Sequence, residues 1–232
     1  MKRFYSKVAV APAEGGVAVL LAGRPVSTPD KRPLLLPTQA LAEAVAAEWS
    51  AQDGVVRPQS MPLTQLCCTA LDLAQPRAAE LAAEIAAYGA TDLLCYRAEA
   101  PAALVERQAR LWQPLLDWVA AAHAAPLVVT SGLAAVEQPP ESLAALARAV
   151  AGHQGMALTA LSQLVGVTGS LVLGLAVSAG RLTAAEAFEL AELDGTWQME
   201  LWGEDQEALD RRARQRGDLE AAVRLLALAR VN

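Results

Sequence analysis

A chain of 232 residues with 54% hydrophobic and 19% charged side chains can bury a sizeable core, which excludes a disordered segment. Its formal net charge of −6 excludes the basic footprint of a nucleic-acid binder. Three cysteines (Cys67, Cys68, Cys95) and two histidines (His123, His153) supply neither a disulfide framework nor a zinc set, so buried thiols and no bound metal are expected.

The opening "MKRFYSKVAVAP" leads straight into alternation and holds no apolar run of signal-peptide length. Residues 1–36 read as antiparallel β-structure: "FYSKVAVAP", a turn at "EGG", then "VAVLLAGRPVSTP" with a further turn around Ala22-Gly23-Arg24. Pro33 and Pro37 bound a short edge-type run. At Thr38 the period changes. "TQALAEAVAAEWSAQ" places Leu41, Val45 and Trp49 at helical spacing, with Thr38 as N-cap and Asp53-Gly54 as stop. This helix covers one face of the small sheet, since neither can bury its apolar side alone.

"VVRPQSMPLT", stiffened by Pro58 and Pro62, reads as a linker. The organisation expected is a small β-rich domain with one helix over residues 1–60 and a multihelical domain over 61–232. The fold class is therefore α+β. Helices are expected over 63–73, 76–89, 101–124, 139–153, 156–179, 183–213 and 218–230. Thr183 and Glu186 have capping-box spacing, which fixes one start firmly. Trp49, Trp112 and Trp118 fall where core residues would.

Residues 155–180 carry no charge and have the length of a membrane span. Interspersed Thr, Ser, Gln and Gly, and the missing aromatic belt, make a buried core helix the better reading. No membrane insertion is expected.

Chemistry-bearing motifs are few. "GVTGSLVLG" lacks the Lys of a phosphate-binding loop, and no Gly-x-Ser-x-Gly occurs. A Cys–His pair is conceivable, but spacing cannot assemble it. What remains is "WQMELWGEDQEA", residues 197–208. On one continuous helix, Glu200, Glu204 and Glu207 would share a stripe, with Glu207 placed to pair with Arg211. Trp197 and Trp202 would stand about 140° apart at about 100° per residue, so one ring enters the core and the other meets the boundary. A hydrolase using Glu200 and Glu204 would need a cleft between them, which one exposed helix does not provide. An aromatic anchor ringed by charge suits an interaction surface better. The cluster Arg211, Arg212, Arg214, Arg216 reads as macrodipole complementarity near a helix C-terminus.

Several blocks together resemble the F1-ATPase assembly chaperone family of mitochondria and alphaproteobacteria. They are "FYSKVAV", "GRPVSTP", "RPLLLPTQALAEAVAAEW", "MPLTQL" with Asp72, "ATDLLCYRAE", "WQPLLDW", and "VTGSLVLGLAVSAGRLTAAEAFELAELD" running into "WQMELWGEDQEA". Gly195 departs from the pattern, where an acidic residue would be expected. The resemblance implies a non-enzymatic, ATP-independent chaperone without cofactor that holds the free F1 alpha subunit until the beta subunit replaces it. It implies a cytoplasmic monomer in bacteria and a matrix protein in eukaryotic relatives. The partner-binding residues expected are Trp202, Glu204, Asp205 and Glu207, with Asp92, Tyr96 and Arg97 as a second patch. For that second patch, a helix end capped by Thr91, with Arg97 paired to a carboxylate, is the competing reading.

Overall fold

A computed structural model describes residues 2–132, 134–203 and 205–230. These form two compact units, one of residues 2–78, 154–160 and 221–230, the other of residues 79–153 and 161–220.

The first unit is built on a small antiparallel sheet. Strand β2 (Gly16–Leu21) is central: β1 (Val8–Ala13) runs along one side, and β3 (Arg24–Pro25) and β4 (Leu35–Leu36) share the other. Val10 faces Val19, and Val17 faces Leu36. Helix α1 (Gln39–Ser50) packs on β1 and β2, burying Leu41, Val45 and Trp49 as its periodicity requires. Thr38 caps it, its hydroxyl accepting from the Leu41 N–H at 3.1 Å. Tyr5 donates its phenol to the Trp49 carbonyl at 2.7 Å, tying the N-terminal segment to the helix.

Glu48 joins α1 to α2 (Pro62–Thr69), accepting from the Leu63 and Thr64 N–H groups, each at 2.8 Å. Those N–H groups are orphans of the first helical turn, so the carboxylate acts as a cap from a distant element. The helix expected over 63–73 ends at Thr69 and continues as a π-helical turn, Ala70–Ala74. This turn presents Asp72 to the loop before β4, where it accepts from the Thr28 hydroxyl at 2.7 Å and the Asp30 N–H at 3.1 Å.

The second unit contains α3 (Ala78–Ala87), α4 (Ala102–His123), α5 (Pro140–Ala151), α7 (Leu171–Ser178), α8 (Ala184–Ala191) and α9 (Leu193–Trp202). Helices α6 (Met156–Thr168) and α10 (Gln206–Ala229) contribute residues to both units. Trp112, Leu146, Leu164, Leu171 and Phe188 are fully buried in this second core. Trp49 and Trp112 are thus core residues as expected, while Trp118 is half-buried. Strands β5 (Tyr96–Arg97) and β6 (Thr130–Ser131), too short for any alternation to announce them, pair in parallel as two residues each.

The uncharged stretch of residues 155–180 is two helices. Gly169, at φ +66°, breaks it in a conformation that side chains disfavour, and Ser170 caps α7 by accepting from the Leu173 N–H at 3.0 Å. Every residue of α7 from Leu171 to Val177 is buried. Among the described residues no helix is long and apolar enough to cross a membrane.

The expected helix over 183–213 is instead α8, α9 and the first part of α10, and the expected break before residue 218 is absent. Gly217 lies inside α10 and does not stop it, since one helical glycine costs only about 1 kcal/mol relative to Ala. The capping box at the start of α8 is complete. The Glu186 carboxylate accepts from the Thr183 N–H at 2.8 Å, while the Thr183 hydroxyl accepts from the Glu186 N–H at 3.2 Å.

Those bonds from Thr183 hold the Glu186 carboxyl below the usual Glu range. A depressed folded-state value stabilises above the unfolded one and loses that contribution as pH falls through the folded value. Acidification below about pH 5 is therefore expected to fray the start of α8. In Glu186→Gln, which keeps the box acceptor without the charge, the protection factor of the Thr183 amide is expected to become flat with pH in this range.

Candidate functional site

Helix α9 stops where the backbone leaves the region open to side chains. Gly203 has φ +88° and ψ 171°, and its N–H closes the last turn on the Met199 carbonyl at 2.9 Å. Asp205 then starts α10, its carboxylate accepting from the Ala208 N–H at 3.2 Å. This junction leaves Trp202 86% exposed and Leu201 59% exposed, with Asp205 and Glu207 exposed beside them. Glu204 lies outside the described residues.

Two expectations change here. The stripe through Glu200 and Glu207 does not exist, because Gly203 puts the two residues on different helices. Trp197 is half-buried and Trp202 stands in solvent, so neither ring enters the core.

Polar contacts from two helices, α4 and α10, fix α9 and the end of α8. From α4, Arg107 reaches both oxygens of Glu200 at 3.0 and 2.8 Å. The next residue, Gln108, is fully buried and bridges two elements. Its amide oxygen accepts from the Ala98 N–H at 2.8 Å, and its NH2 donates to Asp194 at 2.7 Å. One turn on, the Trp112 indole N–H donates to the Leu190 carbonyl at 3.0 Å, holding the end of α8.

From α10, Arg212 donates to Glu192 at 2.7 Å and to the Thr196 hydroxyl at 3.0 Å, with its guanidinium 4.9 Å from the Phe188 ring centre. Arg216 pairs with Glu189 at 2.7 Å. Contrary to the expectation of a helix-end cluster, the arginines lie within α10, where Arg212 and Arg216 anchor α8 and α9. Gly195 finds its reason in the same place, since a Cβ there would sit 3.1 Å from the Glu192 carboxylate.

Between α9 and the start of α10 lies an open concavity of about 240 Å³. Its lining includes Met199 and Trp202, the small residues Gly195, Gly203 and Ala208, and the charged Asp205 and Arg211.

The residues expected to form a second patch lie mostly inside. Asp92 has no exposed surface, so its expected place in a contact patch gives way to an internal one. Its carboxylate accepts from the Ser170 hydroxyl at 2.8 Å and from the Val172 and Leu94 N–H groups at 3.0 and 3.1 Å. Burial pushes this carboxyl above the usual Asp range, against the donors that pull it down. Arg97 is 9% exposed. Among the described residues its guanidinium meets the Leu94 carbonyl at 2.8 Å and the Trp112 ring at 5.3 Å, not a carboxylate. Only Tyr96 of the three keeps partial exposure. Thr91 ends a 3-10 turn, and it is Asp92, not Thr91, that caps the next one.

Burial pushes the Cys67 thiol far up and Cys95 up to about 12, so neither supplies a thiolate nucleophile at neutral pH. Glu200, one half of the hydrolase alternative, is engaged by Arg107. Among the described residues, no three His, Cys, Asp or Glu side chains gather as a metal set.

Comparison with known proteins names the framework. The ATP12 chaperone protein family matches residues 2–120, just over half of the chain. The chain belongs to the ATP12 chaperone family. Atp12 of Paracoccus denitrificans, a solved structure, is 45% identical with a TM-score of 0.94, over 99% of this chain and 98% of that one. The Atu1473 protein of Agrobacterium tumefaciens is 42% identical with a TM-score of 0.95, over 99% of this chain and 86% of that one. Mitochondrial atp12 of Schizosaccharomyces pombe is 25% identical over 219 residues, 89% of this chain and 75% of the relative. The α+β architecture read from sequence and the chaperone family resemblance both stand. The residues that sequence reasoning missed in this ATP12 family member are the positioning ones, Arg107, Gln108 and Arg212. Gln108 had a signal: a polar residue on the stripe Leu104, Gln108, Trp112, Leu115 is a buried amide in need of partners.

Proposed function

We propose that this chaperone binds the unassembled alpha subunit of F1-ATPase and keeps it soluble until the beta subunit takes its place, without ATP and without catalysis. It works as a monomer in the bacterial cytoplasm. The observation that carries this reading is the exposure of Trp202, 86%, beside Leu201 at the rigidly held end of α9. Large aromatic anchors next to charge are the usual energetic centres of protein interfaces. An unassembled subunit exposes an apolar interface prone to aggregation, and a matching apolar patch with a polar rim can cover it. Trp202, Asp205 and Glu207, together with Glu204, form the contact surface, and Tyr96 belongs to a second, separate contact. Asp92 and Arg97 serve it from within by fixing the scaffold.

The test is aggregation of the isolated alpha subunit, followed by light scattering with and without this protein in nucleotide-free buffer. Suppression and a co-eluting complex are expected. Trp202→Ala is expected to weaken that complex by about 2 kcal/mol, roughly thirtyfold. Absence of any complex at micromolar concentrations would overturn the assignment.

A further inference from the structure

Charge is placed unevenly along a chain whose net charge is −6. Residues 2–60 hold seven Lys and Arg against five Asp and Glu, while the remainder holds twelve against twenty. Part of that cationic share gathers around the N-terminal segment, next to exposed apolar groups.

Arg3 and Tyr5 turn inward. The Arg3 guanidinium lies 4.8 Å from the Tyr5 ring centre and donates to the Tyr5 carbonyl at 3.1 Å, and Tyr5 itself is buried. Alternation along an extended chain then turns Lys2 and Phe4 outward, and both are exposed, Phe4 by 64%. Lys2 pairs with Val55 in an antiparallel bridge, and the Arg3 N–H donates to the Gly54 carbonyl at 2.9 Å. Opposed residues of such a bridge share a face, so Lys2, Phe4 and the exposed Val55 form one outward surface. Arg57 joins it by the same alternation, since Val56 is buried while Val55 and Arg57 are exposed.

Two more cations stand where this segment enters the sheet. The Lys7 carbonyl accepts from the Ala22 N–H at 2.9 Å, and Leu21 pairs with Arg24, so Lys7 and Arg24 share that end of the β1–β2 ladder. Among the described residues, no hydrogen bond or ion pair engages the side chains of Lys2, Lys7, Arg24 or Arg57. Of the five acids, only Asp53 is brought to this surface, across from Phe4. Glu43 is taken by Gln39 and Glu48 by the start of α2, while Asp30 lies on the loop that Asp72 holds. Glu14 occupies the turn at the opposite end of the ladder. The cations are in excess.

We propose that this surface docks an acidic polypeptide segment, one that carries an apolar side chain between Asp or Glu residues. Phe4 and Val55 take the apolar group, and the four unengaged cations take the carboxylates. Burial at the aromatic anchor supplies affinity, and opposite charge supplies orientation and a faster encounter. A lipid surface matches less well. Anionic bilayers attract clusters of about four to eight Lys and Arg close to a membrane-embedded apolar element. Here one ring and one Val make up the apolar part, and Asp53 stands among the cations.

Calorimetric titration with two synthetic peptides tests this: one Leu between pairs of Asp and Glu, and the same peptide with Lys in their place. The acidic peptide is expected to bind at least tenfold tighter at low salt and to lose most of that advantage at about 0.5 M salt. Phe4→Ser should weaken it about fivefold, and Lys2→Glu combined with Arg57→Glu at least tenfold. Lys7→Glu combined with Arg24→Glu is a second charge pair, should the first disturb the Lys2–Val55 bridge. All of these change exposed side chains, and circular dichroism checks that each variant folds.

Equal affinity for the two peptides, or none for either, would overturn the proposal. So would wild-type affinity in both charge-reversed pairs. Vesicles of phosphatidylcholine and phosphatidylserine in equal amounts form the last arm. Retention on them that Phe4→Ser abolishes, without binding of the acidic peptide, would assign the surface to lipid instead. The readout needs no alpha subunit, so its outcome is independent of alpha binding.

Discussion

Asp92→Ala is expected to lower the free energy of unfolding by about 3–5 kcal/mol, read by urea denaturation. The carboxylate has no exposed surface and gathers donors from two segments distant in sequence: Leu94 from its own turn, Ser170 and Val172 from the start of α7. Removing it strands all of them where no solvent reaches, at about 1–3 kcal/mol for each unsatisfied group. Relief from burying a charge offsets part of that sum. The same turns also meet through the Leu93 N–H, which donates to the Gly169 carbonyl at 3.2 Å, so local repacking cannot easily substitute. A loss below about 1 kcal/mol would show that the α7 cap survives without Asp92.

Asp92→Asn gives the pH dependence its sign. Burial holds the folded carboxyl above the ordinary Asp value of about 4, so the folded state keeps its proton where the unfolded chain has lost it. That contribution to stability is therefore greatest below about pH 4 and declines as pH rises through the folded value. The Asn side chain cannot ionise. The difference in stability between wild type and Asp92→Asn should thus shift in favour of the variant as pH is raised from about 4.

Period and punctuation make much of this fold legible. Thr38 after Pro37, the Leu41–Val45–Trp49 row, and the Thr183–Glu186 box each state a local rule that the structure obeys. What stays hidden depends on contacts between distant residues. The break at Gly203 looks from sequence like one tolerable helical glycine, and Gly217 looks the same. Only the first adopts a positive φ, because Asp205 waits two residues on to cap a new helix. Asp92 shows the same limit for the site. Within "ATDLLCYRAE" it reads as a surface acid at a helix end, and nothing local announces that Ser170 and Val172 will surround it. Trp202 was legible as an anchor, but its exposure follows from α9 ending one residue later.

Trp112→Ala is expected to match or exceed the loss at Asp92, at about 3–5 kcal/mol, because three different terms fail together. The ring is fully buried between α4 and its neighbours, so truncation opens a large cavity. The Leu190 carbonyl loses its 3.0 Å indole donor. Arg97 loses the aromatic face at 5.3 Å that shelters its charge, and its Nη2 has no hydrogen-bond partner among the described residues.

Trp112→Phe separates these contributions, since it keeps a ring against Arg97 and removes the indole donor. It should cost about 1–3 kcal/mol in urea unfolding, the range for leaving one buried acceptor unpaired plus a small volume change. Arg97→Met tests the remaining part, replacing a buried cation by an apolar chain of similar length. Such replacements are often close to neutral, so Arg97→Met alone should cost far less than Trp112→Ala. In the Trp112→Ala background it should recover about 0.5–2 kcal/mol, because the cation left behind no longer has a ring to face. Strictly additive losses in that double-mutant cycle would show that the Arg97–Trp112 contact carries no coupling energy.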